Sequence, residues 1–92
     1  MGNLRTIKKD VKYLISEVVD DCVIYLELNG EEKQEKVFDI IGDALDLQDE
    51  LFDKINCPVK DIKPAVYFKG IIEELLKGVD GFYERLSELS KQ

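Results

Sequence analysis

The stretch DIIGDALDLQDELFD, residues 39–53, carries carboxylates at Asp39, Asp43, Asp46, Asp49, Glu50 and Asp53, and it contains no Lys, Arg or His. Three kinds of chemistry use such a line. Carboxylates one helical turn apart chelate magnesium or a similar hard cation through oxygen ligands. A continuous acidic ridge attracts a basic partner protein, speeding encounter more than it tightens the complex. The same ridge can also be no more than a solvated face that keeps a protein dissolved. Geometry separates these options, because catalytic sites need a concave pocket and a ridge has none.

The rest of the composition narrows the field. The chain has no His, and its two cysteines, Cys22 and Cys57, form no CxxC pair. Zinc sites, His phosphotransfer, Cys–His and Ser–His nucleophilic pairs and His-ligated haem are excluded in their usual forms. No catalytic residue and no cofactor are expected. A net charge of −7 repels phosphate backbones and anionic lipid, so neither nucleic acid nor a membrane is the expected partner. The basic cluster RTIKKDVK (5–12) could meet an anion locally, but it reads best as a neutraliser of acidic neighbours.

Ninety-two residues with 45% hydrophobic content make one folded domain, 1–92, with a modest core. No apolar run reaches the roughly 20 residues that span a bilayer. Leu4, Ile7 and Val11 are interrupted by charges, so no signal peptide is expected and the default location is cytoplasmic.

Helical periodicity organises the whole chain. Leu4, Ile7, Val11, Leu14, Ile15, Val18, Val19, Cys22, Tyr25 and Leu26 recur at steps of three and four, which predicts a helix over 4–28. Asn3 is its candidate N-cap, and Gly30 should end it by taking a left-handed conformation. A hairpin strand over CVIYLEL is the competing reading, but its would-be partner, EEKQEK, is wholly polar.

A second helix is predicted over 32–56, with Val37, Ile41, Ala44, Leu45, Leu51, Phe52 and Ile55 facing the core. Glu31, Glu32 and Glu35 suit its positive end, and Cys57-Pro58 stops it. A third helix is predicted over 61–90, capped by Asp61 and with Pro64 in its first turn. Its apolar stripe is Phe68, Ile72, Leu75, Val79, Phe82, Leu86 and Leu89. That stripe stays in phase through Gly78–Gly81, so a bend at most is expected there. Three long helices with short connections must run up-down-up. The expected fold is an all-α, elongated antiparallel three-helix bundle, with Cys22 and Cys57 too far apart to bond.

On the second helix, at about 100° per residue, Asp39, Asp43, Asp46, Glu50 and Asp53 fall within about 40° of one another, opposite the core. Like charges three or four apart destabilise a helix by about 0.2–0.5 kcal/mol per pair, so the stripe costs of order 1–3 kcal/mol. Relief is expected from Arg5, Lys8, Lys9 and Lys12 on the antiparallel first helix.

EKQE (Glu32, Glu35) and ELFD (Glu50, Asp53) resemble the ExxE and ExxD motifs of all-α nucleotide pyrophosphohydrolases. The resemblance implies a divalent metal held by Glu32, Glu35, Glu50 and Asp53, and a nucleotide substrate. That family sets the two motifs on facing helices. Here the period puts both on one helix, with Glu32 and Glu50 about 27 Å apart.

Two further features suggest partners. MGNLRT matches the N-myristoylation pattern, with Gly2 as acceptor and Thr6 as the hydroxyl residue, and would make a lipid-anchored adaptor. Tyr13 and Ile24 on the back of the first helix, with Val23 nearby, and Gly70, Gly78 and Gly81 on one side of the third, are candidate self-association faces of a homodimer. In length, helix pattern and its NLRTIKKDV opening the chain is similar to small all-α bacterial proteins of unknown function, a resemblance that carries no catalytic residue over. The leading expectation is a non-enzymatic helical module that binds a protein through Asp39, Asp43, Asp46, Glu50 and Asp53.

Overall fold

The computed structural model describes residues 4–91. Gly2 and Asn3, with the acylation and capping expectations attached to them, lie outside the described residues, as do the side chains of Leu4 and Arg5. Three helices follow one another: α1 (Leu4–Asn29), α2 (Gln34–Asn56) and α3 (Pro64–Lys91). They form an up-down-up bundle of 47 × 19 × 19 Å, the elongated shape that three packed helices of this length dictate.

Local chemistry sets the boundaries. Gly30 ends α1 in the left-handed region, φ 64°, with its N–H on the Leu26 carbonyl at 2.9 Å. α2 starts at Gln34, not at 32, because the chain makes a second left-handed turn at Lys33, φ 64°. That conformation is costly for a residue with a Cβ. The Lys33 ammonium offsets it by donating to the Leu89 carbonyl at 2.8 Å, which ties the turn to the last turns of α3. At the other end of the bundle, α3 begins at Pro64, and Asp61 lies in the preceding turn rather than at the cap. Pro64 pushes Lys63 out of helical geometry, so the helix cannot extend upstream. The Lys63 carbonyl accepts the first helical bond, from the Tyr67 N–H at 2.9 Å.

Among the described residues each helix contributes five to one apolar core. They are Ile7, Val11, Ile15, Val18 and Cys22 on α1, Val37, Ile40, Ala44, Leu51 and Ile55 on α2, and Ile71, Leu75, Val79, Phe82 and Leu89 on α3. Among the described residues no polar or charged group is buried, so the core is held by apolar burial, about 1.5–3 kcal/mol per large side chain. Two expectations for this core need correction. Leu45 is 44% exposed, because the buried line of α2 is centred on Ile40 and Ala44 and Leu45 lies a further 100° round. On α3, Ile71 takes the buried place and Ile72 is only half-buried.

The register of α2 against α3 is antiparallel and is marked by four contacts. Arg85 Nη1 reaches Asp43 Oδ2 at 2.8 Å, Lys54 Nζ reaches Glu74 Oε1 at 2.8 Å, and the Tyr67 hydroxyl donates to the Lys54 carbonyl at 3.0 Å. Between them the Leu47 side chain lies over Gly78, where a Cβ would collide with it. α3 runs through Gly78 and Gly81 without a break. α1 runs parallel to α3, and the Tyr25 hydroxyl meets the Leu89 carbonyl near their C-terminal ends at 3.3 Å.

Candidate interaction surfaces

The acidic line on α2 faces outward along its whole length. All six carboxylate residues are exposed, and they span roughly 21 Å of helix axis from Asp39 to Asp53. Two of them have cationic partners. Arg85 holds Asp43 at 2.8 Å, and Lys54 approaches Glu50 at 3.8 Å while hydrogen bonding Glu74 of α3. The Glu74 hydrogen bond raises the Lys54 pKa; burial opposes it, and the charges of Glu74 and Glu50 add to the rise. The relief therefore comes from α3 and from α2 itself. The expected neutralisers on α1, Lys8, Lys9 and Lys12, make no ion pair with the stripe among the described residues. Within the line, Asp43 is the residue that contacts α3. Asp39, Asp46, Asp49 and Asp53 make no ion pair among the described residues.

A short groove opens beside the upper end of this line, between α2 and α3, and Lys36, Asp39, Ile40, Arg85, Glu88 and Leu89 line it. Its walls thus combine apolar surface with charge. The metal reading fares differently. Glu32 sits in the turn before α2, and Glu35, Glu50 and Asp53 lie along one face of α2, so the two motifs do not converge. Among the described residues no group of three metal-ligating side chains comes together. No helix among them is long and apolar enough to cross a membrane.

The outer face of α1 shows a pattern that the sequence reading caught only at Tyr13, Val23 and Ile24. Lys9, Tyr13, Ser16, Asp20, Val23 and Glu27 recur at steps of 4, 3, 4, 3 and 4, and all are exposed. They lie opposite the buried Ile7–Cys22 line. Tyr13 is 64% exposed, and Leu28 at the end of the helix is 80% exposed. Charge is segregated along α1. Residues 5–12 hold Arg5, Lys8, Lys9 and Lys12 against one carboxylate, Asp10, whereas residues 13–29 hold Glu17, Asp20, Asp21 and Glu27 and no cation. The alternating steps were visible in the sequence, but polar Ser16 and Asp20 interrupt the apolar positions and disguise the stripe.

The glycine face of α3 divides. Gly70 has open space around it, and Gly81 likewise meets nothing within 4 Å. Gly78 faces α2 and is covered by Leu47, so it belongs to the bundle interior and is not open to a second copy. The sequence reading placed it on the outer side because its helical wheel did not locate the neighbouring helix.

Between α1 and α3 a groove of about 360 Å³ is lined by Ile24, Tyr25, Leu28, Tyr83 and Leu86, with Asp21 at its edge. Burial, then the charge of Asp21 and a hydrogen bond to its carboxylate, pushes the Tyr83 hydroxyl up to about 12. That phenol stays neutral near neutral pH and is not an acid poised for proton transfer there. Cys22 is buried, and burial with the charge of Asp21 raises its thiol, while Arg85 opposes them. That suits core packing rather than nucleophilic reactivity. Cys57 is exposed, and both thiols are free.

Fold and surfaces together define an all-α antiparallel three-helix bundle with an apolar interior and its charge on the outer helix faces. Compared with protein-family models, with curated proteins and with solved structures, the chain finds no match.

Proposed function

We propose that the chain is a small non-catalytic helical interaction module whose α2 ridge receives a basic segment of a partner protein. The observation that supports this reading is the exposed acidic face of α2, where Asp39, Asp46 and Asp53, with Asp49 beside them, make no ion pair among the described residues. Its neighbours Asp43 and Glu50 are partly neutralised, so the attractive charge is concentrated on the outward edge. A basic segment docked there replaces like-charge repulsion within α2 by attraction, and its encounter is fast at low salt. The adjoining α2–α3 groove, with Ile40 and Leu89 in its walls, offers apolar surface next to the charge.

The test is partner capture from source cells with the wild-type chain and with an Asp39→Lys/Asp46→Lys/Asp53→Lys variant. The reading expects one or more basic proteins on the wild type, lost on the variant and weakened by salt. Capture that is indifferent to the three substitutions contradicts it. Circular dichroism confirms that the variant still folds, since removing like charges stabilises α2.

A further inference from the structure

We infer that a second copy of this chain docks on the outer face of α1, the two α1 helices packing antiparallel about a two-fold axis near residue 18. This goes beyond the proposed function and does not depend on it, because the α2 ridge points away from that face and stays uncovered in such a pair.

The face is complementary to itself when two copies run antiparallel. Place the two helices antiparallel so that the paired residue numbers sum to 36. Lys9 then meets the partner's Glu27, Tyr13 meets the partner's Val23, and Ser16 meets the partner's Asp20. The symmetry repeats each pair once. The inner pair lets the Ser16 hydroxyl donate to a carboxylate, the middle pair buries an aromatic ring against a branched aliphatic, and the outer pair joins opposite charges. Parallel packing instead sets Lys9 on Lys9, Asp20 on Asp20 and Glu27 on Glu27, which is repulsive throughout. The steps of 4 and 3 are the spacing that keeps one stripe facing a neighbouring helix over several turns.

Charge complementarity is what selects a second copy over some other occupant. The net positive end of α1, residues 5–12, and its negative remainder, residues 13–29, are each other's match only when reversed. An apolar helix leaves both ends unpaired, and a uniformly basic helix collides with Lys9 and Lys12. The strip from Lys9 to Glu27 is about 27 Å long and one helix wide, below the roughly 800 Å² per partner of a standard stable interface. The pair therefore belongs to the weak, concentration-dependent class.

Sedimentation equilibrium on the purified chain tests this. The expected result is a 10.6 kDa monomer when dilute, rising toward twice that mass as concentration approaches about 1 mM. Lys9→Glu alone and Glu27→Lys alone each weaken association, by about tenfold, because each turns two attractive pairs repulsive. Mixing the two variants restores association, since every Lys9→Glu site then faces a Glu27→Lys site. Recovery on mixing also shows that both variants fold. A wild-type chain that stays monomeric to that concentration overturns the inference, even if α1 binds a helix of another protein. So does a dimer indifferent to Lys9→Glu, or a mixture that fails to recover.

Discussion

Arg85 of α3 lies 2.8 Å from the Asp43 carboxylate of α2 and 6.0 Å over the Phe82 ring. One cation thus joins the acidic ridge to the helix that flanks it. Both partners are about half exposed, 44% and 55%, so the pair contributes no more than about 0.2–1 kcal/mol. Removing the two ends should nonetheless differ. Asp43→Asn loses the pair but also relieves repulsion from Asp39 and Asp46, and should leave stability within about 0.5 kcal/mol. Arg85→Ala loses the pair and the ring contact and deepens the repulsion, at a cost of about 1 kcal/mol. Urea unfolding of the two variants checks the asymmetry.

The glycines of α3 should respond oppositely to alanine. Gly70→Ala enters open space on an exposed helix face and should stabilise by about 0.5–1 kcal/mol through helix propensity. Gly78→Ala gains the same propensity but forces the Leu47 side chain aside, and should gain nothing. In a Leu47→Ala background the Gly78→Ala gain should return. A double-mutant cycle by denaturant unfolding reads that coupling directly.

Leu51 and Leu45 sit six residues apart on α2 with opposite fates, fully buried and 44% exposed. Leu51→Ala should cost about 2–5 kcal/mol, enough to unfold much of a domain this small. Leu45→Ala should cost under about 1 kcal/mol. Thermal melts of the pair separate the observed core from the one expected from periodicity alone.

Tyr83 makes stability pH-dependent at the alkaline end. Its folded-state pKa is pushed from 10.0 up to about 12, so between those values the folded chain keeps a proton that the unfolded chain releases. Stability from this group is complete below pH 10 and falls as pH rises toward 12. Lys54, raised from 10.5 by its Glu74 hydrogen bond, acts in the same direction above 10.5. Melting temperatures across this range should fall less steeply for Tyr83→Phe than for wild type. A parallel slope in both proteins contradicts the assignment to the half-buried Tyr83 phenol.

The bundle was legible in the sequence because apolar period, Gly30 and Cys57-Pro58 all pointed to the same three helices. What was lost had a common cause. A helical wheel drawn for α2 alone locates the core, but not which flank turns toward α3. The partners of Asp43 and Glu74, the cover over Gly78 and the exposure of Leu45 all depend on that choice. Asp61 failed for a local reason. Its capping signal was present, but Pro64 fixes where α3 can begin. The outward placement of Asp39–Asp53 needed only the period and was read correctly. Its neutralisers were not, because Arg85 is 42 residues from Asp43 and nothing in sequence spacing joins them.

The central claim, docking of a basic partner on α2, is tested most directly by zero-length carbodiimide cross-linking in source cells. This chemistry joins a carboxylate to a lysine within ion-pair distance. Peptide mass spectrometry should place cross-links between Asp39, Asp46, Asp49 or Asp53 and lysines of a second protein, and high salt should suppress them. Cross-links that avoid α2 while joining other carboxylates of the chain to a partner would contradict the claim.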